Sequence, residues 1–103
     1  MRKHNLAFVD IETTGLNLIE NEIIQIGCVV TDISLKVIEE FEIKIKPKHI
    51  ETSDPVSLKI SHYDPEEWKE AVNLKQAIKI FADKTENTIM VGHNISFDAS
   101  FLD

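Results

Sequence analysis

The sequence predicts an α/β domain built on one mixed sheet, and three observations point there. Two runs, residues 6–12 and 22–31, are dense in Ile, Val, Leu and Phe on both faces, the pattern of strands buried near a sheet centre. Residues 37–46 alternate between apolar and charged side chains, the pattern of a half-exposed strand. Leu74, Ala77, Ile78, Phe81 and Ala82 then fall at helical spacing before a short apolar run at 88–92. That order makes a crossover helix leading into a strand parallel to the first.

Taken in order, the first strand closes on Asp10-Ile11-Glu12 and the second is built on Ile23, Ile24, Ile26, Val29 and Val30. A polar turn at 32–36 makes the second and third strands an antiparallel pair. In the third, Val37, Phe41, Ile43 and Ile45 share one face and Glu40, Glu42, Lys44 and Lys46 the other, and the lysines suit a sheet edge. The pattern breaks over 47–63, where Asp54 before Pro55 reads as the cap and first position of a short helical turn. Asp64, Pro65 and Glu67 repeat that signature. Asn73 is the expected N-cap of the crossover helix and Asn87 its stop. Ser96 is placed to cap a final helix from Phe97, whose stripe of Phe97, Phe101 and Leu102 runs into the last residue, Asp103. The expectation is a single domain over residues 1–103, the N-terminal portion of a larger unit, with self-association covering that stripe.

Composition narrows the function. The 103 residues are 43% hydrophobic and 28% charged, ordinary for a globular domain. Eleven Lys and Arg against 18 Asp and Glu give a net charge of −7, which argues against holding duplex DNA by general phosphate neutralisation. Cys28 is the single cysteine, so an intramolecular disulfide and a Cys-rich zinc site are excluded and a reducing compartment fits. The apolar run after the basic start stops at Asp10, short of a signal-peptide core, and no segment reaches membrane-spanning length. A cytoplasmic protein without a membrane partner is expected.

Two constellations carry chemistry. In Phe-Val-Asp-Ile-Glu-Thr-Thr-Gly-Leu, Asp10 and Glu12 stand on one face of a strand about 6.6 Å apart, given a rise of roughly 3.3 Å per residue. That span suits a two-metal site with ions about 3.5–4 Å apart. It suits two solvated acids at a strand end as well. The second, residues 91–102, is a strand end, a tight polar turn and a helix start that places Asp98 in the first helical turn, where the dipole alone favours an acid. A parallel strand beside the first would bring Asp98 to the sheet edge that holds Asp10 and Glu12. Three convergent acids call for a hard divalent cation.

With those residues in place, the sequence resembles the DEDD, or DnaQ-like, 3′-to-5′ exonucleases of the ribonuclease H-like fold. The family includes epsilon-type proofreading subunits, ribonuclease T and oligoribonuclease. Residues 10–16 match its first motif and residues 93–102 its second, in the family's order. The resemblance implies hydrolysis of terminal phosphodiesters of single-stranded DNA or RNA by a two-metal mechanism, with Mg²⁺ or Mn²⁺ held by Asp10, Glu12 and Asp98. It implies that Thr13 and Leu16 hold the 3′-terminal nucleotide and that Asn94 lies at the site edge. A DNA polymerase is an implied partner. The family's fourth acid, with a His or Tyr just before it, falls further downstream than residue 103. Around residues 60–63 relatives commonly show His or Asn followed by Gly, where this chain has His62 followed by Tyr63.

Local readings stand beside these. Thr13, Leu16 and Asn94 also suit plain turns, and His93 suits a turn histidine packed on the sheet. Lys44, Lys46 and Lys48 suit a solvated edge better than a strand guide. As a whole, the alternative to an exonuclease is an incomplete or split exonuclease-like binding module without activity of its own.

Overall fold

A computed structural model of the chain describes residues 4–17 and 21–92. Strand β1 (Asn5–Thr13) pairs antiparallel with β2 (Ile23–Thr31), β2 pairs antiparallel with β3 (Val37–Lys44), and β4 (Thr88–Val91) runs parallel to β1. The strand order is β3-β2-β1-β4, which puts β1 inside the sheet as expected. The β2–β3 turn is tied by Asp32, whose carboxylate accepts the backbone N–H of Ser34 at 2.8 Å and of Lys36 at 3.0 Å. Such Asx contacts favour a turn over continued strand.

Helix α1 (Pro55–Ile60) starts as its sequence demands, with the Asp54 carboxylate accepting the Val56 N–H and Pro55 at the first position. Helix α2 (Leu74–Lys84) carries a full capping box: Asn73 accepts the Gln76 N–H, and the Gln76 side chain accepts the Asn73 N–H. Asn87, at φ 60°, turns the chain into β4.

One layer forms the core. Ala7, Val9 and Ile11 of β1, Ile23, Ile26, Cys28 and Val30 of β2, and Ile43 and Ile45 pack with Ala77 and Phe81 of α2. Trp68 seals its edge, donating its indole N–H to Ile24 O at 2.8 Å.

Three expectations need correction. Residues 6–12 are not apolar on two buried faces: Phe8 is 36% exposed and Asp10 is exposed, because described residues cover only one side of the sheet. Strand β3 ends at Lys44, and Ile45 instead bridges Val72 in parallel, drawn there by hydrogen bonds between 44–46 and Val72. The Asp64 signature holds as a capped turn, its carboxylate accepting the Glu66 N–H at 3.0 Å and its carbonyl the Trp68 N–H at 3.0 Å. In α2, Leu74 and Ala82 are exposed, and Ile80 supplements the buried pair Ala77 and Phe81. Among the described residues no helix is long and apolar enough to cross a membrane. Ser96, Phe97, Phe101 and Leu102 lie outside the described residues.

Candidate active site

The pleat of β1 divides its side chains. Val9 and Ile11 turn into the core, so Asp10 and Glu12 are presented together on the opposite, uncovered face. Asp10 is exposed and Glu12 half-buried. Across the sheet Asp10 pairs with Gly27 and Gly27 with Glu42, so the position beside Asp10 carries no side chain. Glu42 is engaged by the Lys44 ammonium at 2.6 Å. No lysine or arginine among the described residues pairs with Asp10.

The parallel strand arrives beside this edge. Phe8 pairs with Val91, and Val91 and Gly92 line a shallow groove with Phe8, Val9 and Asp10. The chain therefore leaves β4 next to Asp10. Asp98 follows Gly92 by six positions; with His93 and Asn94 it lies outside the described residues. Among the described residues no group of three His, Cys, Asp or Glu side chains converges to hold a metal ion. Asp10 and Glu12 contribute two hard oxygen donors on one face, a donor set that fits Mg²⁺ or Mn²⁺ and needs further ligands to complete it.

The loop after β1 is built by hydrogen bonds. The Thr13 hydroxyl donates to Gly15 O at 2.7 Å, which turns the chain away from the strand. Leu16 projects to solvent at 79% exposure. Thr14 is fully buried: its N–H donates to Glu22 O, its Oγ1 accepts the Glu22 N–H at 2.9 Å, and its carbonyl accepts the Asp54 N–H at 2.7 Å. At Gly15 a Cβ would lie 2.3 Å from Asn21 Oδ1, so a side chain there would displace Asn21 from the loop.

Sequence reasoning missed Thr14, Asn21 and Glu22. Nothing local distinguishes them: the Asn21 amide bonds Thr52, 31 residues away, and Thr14 O takes the N–H of the still more distant Asp54. His62 adopts φ 59° at the end of α1, a left-handed conformation that glycine adopts without strain, and the Tyr63 ring stacks on Trp68 with centroids 5.0 Å apart. Lys44 lies over the Trp68 ring at 5.1 Å, while Lys46 and Lys48 are exposed, in keeping with a solvated edge.

Comparisons with known proteins bear on the whole chain. The sequence model of RNase_T, described as an exonuclease family, matches residues 7–103. The chain is 34% identical over 93 residues to a PolC-type DNA polymerase III of Caldanaerobacter subterraneus, matching 90% of this chain and 6% of that protein. It is 36% identical over 93 residues to the PolC-type enzyme of Mycoplasmopsis pulmonis, again 90% of this chain and 6% of the relative. Among solved structures, a product-bound exonuclease I superposes with a TM-score of 0.84 at 22% identity, covering 98% of this chain and 24% of that one. Exonuclease I of E. coli in complex with a dT13 oligonucleotide gives 0.82 at 22% identity, covering 97% and 23%. These structures share the ribonuclease H-like fold with this chain, which spans a small part of their length.

Proposed function

The chain belongs to the exonuclease family, and from that premise we propose that residues 1–103 are part of a single metal-dependent 3′-to-5′ exonuclease domain acting on single-stranded nucleic acid. One observation carries the reading: β4 delivers the chain into the groove of Asp10, on the sheet face shared by Asp10 and Glu12. Asp10, Glu12 and Asp98 are the metal-holding and catalytic residues of this reading. Bound there, two Mg²⁺ or Mn²⁺ ions supply Lewis-acid stabilisation and an activated water for phosphodiester hydrolysis. Thr13 and Leu16 hold the 3′-terminal nucleotide, Thr13 through its loop backbone and Leu16 through its exposed side chain, and Asn94 closes the site edge. The oligonucleotide complex of exonuclease I supports single-stranded DNA as substrate, and the PolC-type relatives support a DNA polymerase as partner. The expected location is the cytoplasm.

The test uses the full-length protein that carries residues 1–103, since these residues alone should be nearly inactive without the downstream acid, with a 3′-labelled single-stranded oligonucleotide and added Mn²⁺. Label should be released from the 3′ end, chelation should abolish release, and Glu12→Ala should lower the rate by about 10³-fold or more, each tenfold being about 1.4 kcal/mol of barrier. Mn²⁺ binding followed by calorimetry should weaken in Asp10→Ala. Unchanged hydrolysis and Mn²⁺ binding in both variants would overturn the reading.

A further inference from the structure

Among the described residues, the loop of Thr13 and Leu16 is tied to a distant segment through Glu22, Asn21 and Thr14. The Glu22 carboxylate accepts the Lys48 N–H at 3.0 and 3.1 Å on its two oxygens and the His49 N–H at 2.9 Å. The Asn21 side-chain amide donates to Thr52 O at 3.1 Å, and its Oδ1 accepts the Asn17 N–H at 3.0 Å. The third tie is the Asp54 N–H on Thr14 O. Because Thr14 also exchanges hydrogen bonds with the Glu22 backbone, the ties close into a ring: Glu22 to Lys48 and His49, onward to Asp54, back to Thr14, and from Thr14 to Glu22. Glu22 is the one charged acceptor in that ring, and charge-assisted bonds are its strongest kind.

We infer that Glu22 is a positioning residue: by fixing the Lys48 and His49 backbone it registers the 13–17 loop against the segment that leads into α1. Between the Lys46 N–H bond to Val72 O and the Asp54 bond to Thr14 O, no strand pairing holds the intervening residues. Among the described residues, Glu22 and Asn21 tie them to the loop through side-chain hydrogen bonds. The kinetic consequence rests on the exonuclease reading, since a loosened loop would hold the 3′-terminal nucleotide less well while leaving Asp10 and Glu12 on their strand. The clasp itself does not depend on that reading.

The experiment compares Glu22→Ala and Glu22→Gln with the parent protein by amide hydrogen exchange and by steady-state hydrolysis of a single-stranded oligonucleotide. In Glu22→Ala, exchange at Lys48 and His49 should accelerate at least about tenfold, and the Thr14 and Asp54 amides should accelerate with them. Glu22→Gln keeps one oxygen acceptor and should fall between; it also serves if the alanine variant fails to fold. KM should rise about tenfold in Glu22→Ala with kcat within about twofold, the signature of lost binding rather than lost chemistry. Faster exchange at Lys48 and His49 with an unchanged Thr14 amide would overturn the inference, as would a fall in kcat at constant KM. If the full-length protein that carries residues 1–103 hydrolyses nothing, the exonuclease reading fails and the exchange result alone decides the clasp.

Discussion

Strand β1 presents two faces that differ in everything except their backbone. Ala7, Val9 and Ile11 are at most 8% exposed and lie in the core. One residue out of phase, Phe8 and Asp10 are exposed and Glu12 is half-buried. On the proposed reading, the pleat separates stability from chemistry within the nine residues of β1. Carboxylates that would be costly on the packed face stand where water reaches them, at fixed positions set by the buried neighbours. A rigid strand placing acids on an open face is what a hydrolytic metal site requires, since a misplacement of about 1 Å can cost roughly 10²-fold in rate.

The sharpest way to break this comparison is to cut each face in turn. Ile26, fully buried opposite Ile11, should lose about 2–5 kcal/mol of stability on replacement by alanine, the usual range for a buried Ile cavity. Asp10→Ala should shift stability by no more than about 0.5 kcal/mol, as an exposed substitution does. Urea denaturation measures both. Comparable losses would mean that the open face also supports the fold.

A smaller effect probes the edge of the packed face. Trp68→Phe keeps most of the ring but loses the indole bond to Ile24 O. That carbonyl still accepts the Ile45 N–H at 2.8 Å, so it is not left unsatisfied. The cost should be the net value of one hydrogen bond, about 0.5–1.5 kcal/mol, plus the transfer cost of the buried ring atoms that phenylalanine lacks. A loss as large as that of Ile26→Ala would show that the ring anchors the 64–72 turns more strongly than one bond implies.

The packed face was largely readable in the sequence, and the reasons are local. The 2-residue alternation of β3, the helical spacing of Ala77 and Phe81, and the caps Asp54 and Asn73 all act within a few residues. Phe8 misled because an apolar residue on a strand reads as buried whether or not anything covers it. The Asp64 cap was legible too, but nothing near it foretold that Trp68 bonds Ile24, 44 residues away. At the site, Asp10 and Glu12 share a face by strand period alone, whereas Glu22 reads as one more residue of a strand. Its role exists only once residues 48 and 49 fold against it.

The smallest expected effect sits on the packed face, at Cys28, which pairs with Val9. Burial, aided by the charge of Glu39, pushes its thiol up from 9.0 to about 11. The sign follows from which state gives up its proton first. Near pH 7 the thiol is protonated in both states and contributes no slope, and the slope sets in as the unfolded thiol begins to ionise on the approach to pH 9. Between about 9 and 11 the unfolded chain ionises while the folded one does not, so the unfolded state is favoured and stability falls with rising pH. At pH 9.0 the unfolded thiol is half ionised, and the loss is about 0.4 kcal/mol, RT ln 2. Comparing pH 7 with pH 9 in the parent and in Cys28→Ala isolates this contribution, because every other titrating group is common to both. Native Cys28 should also resist iodoacetamide at pH 8 and react once the chain is unfolded in urea. Rapid alkylation of the native protein would mean that the packed face opens as readily as the other, and the division between the faces of β1 would not hold in solution.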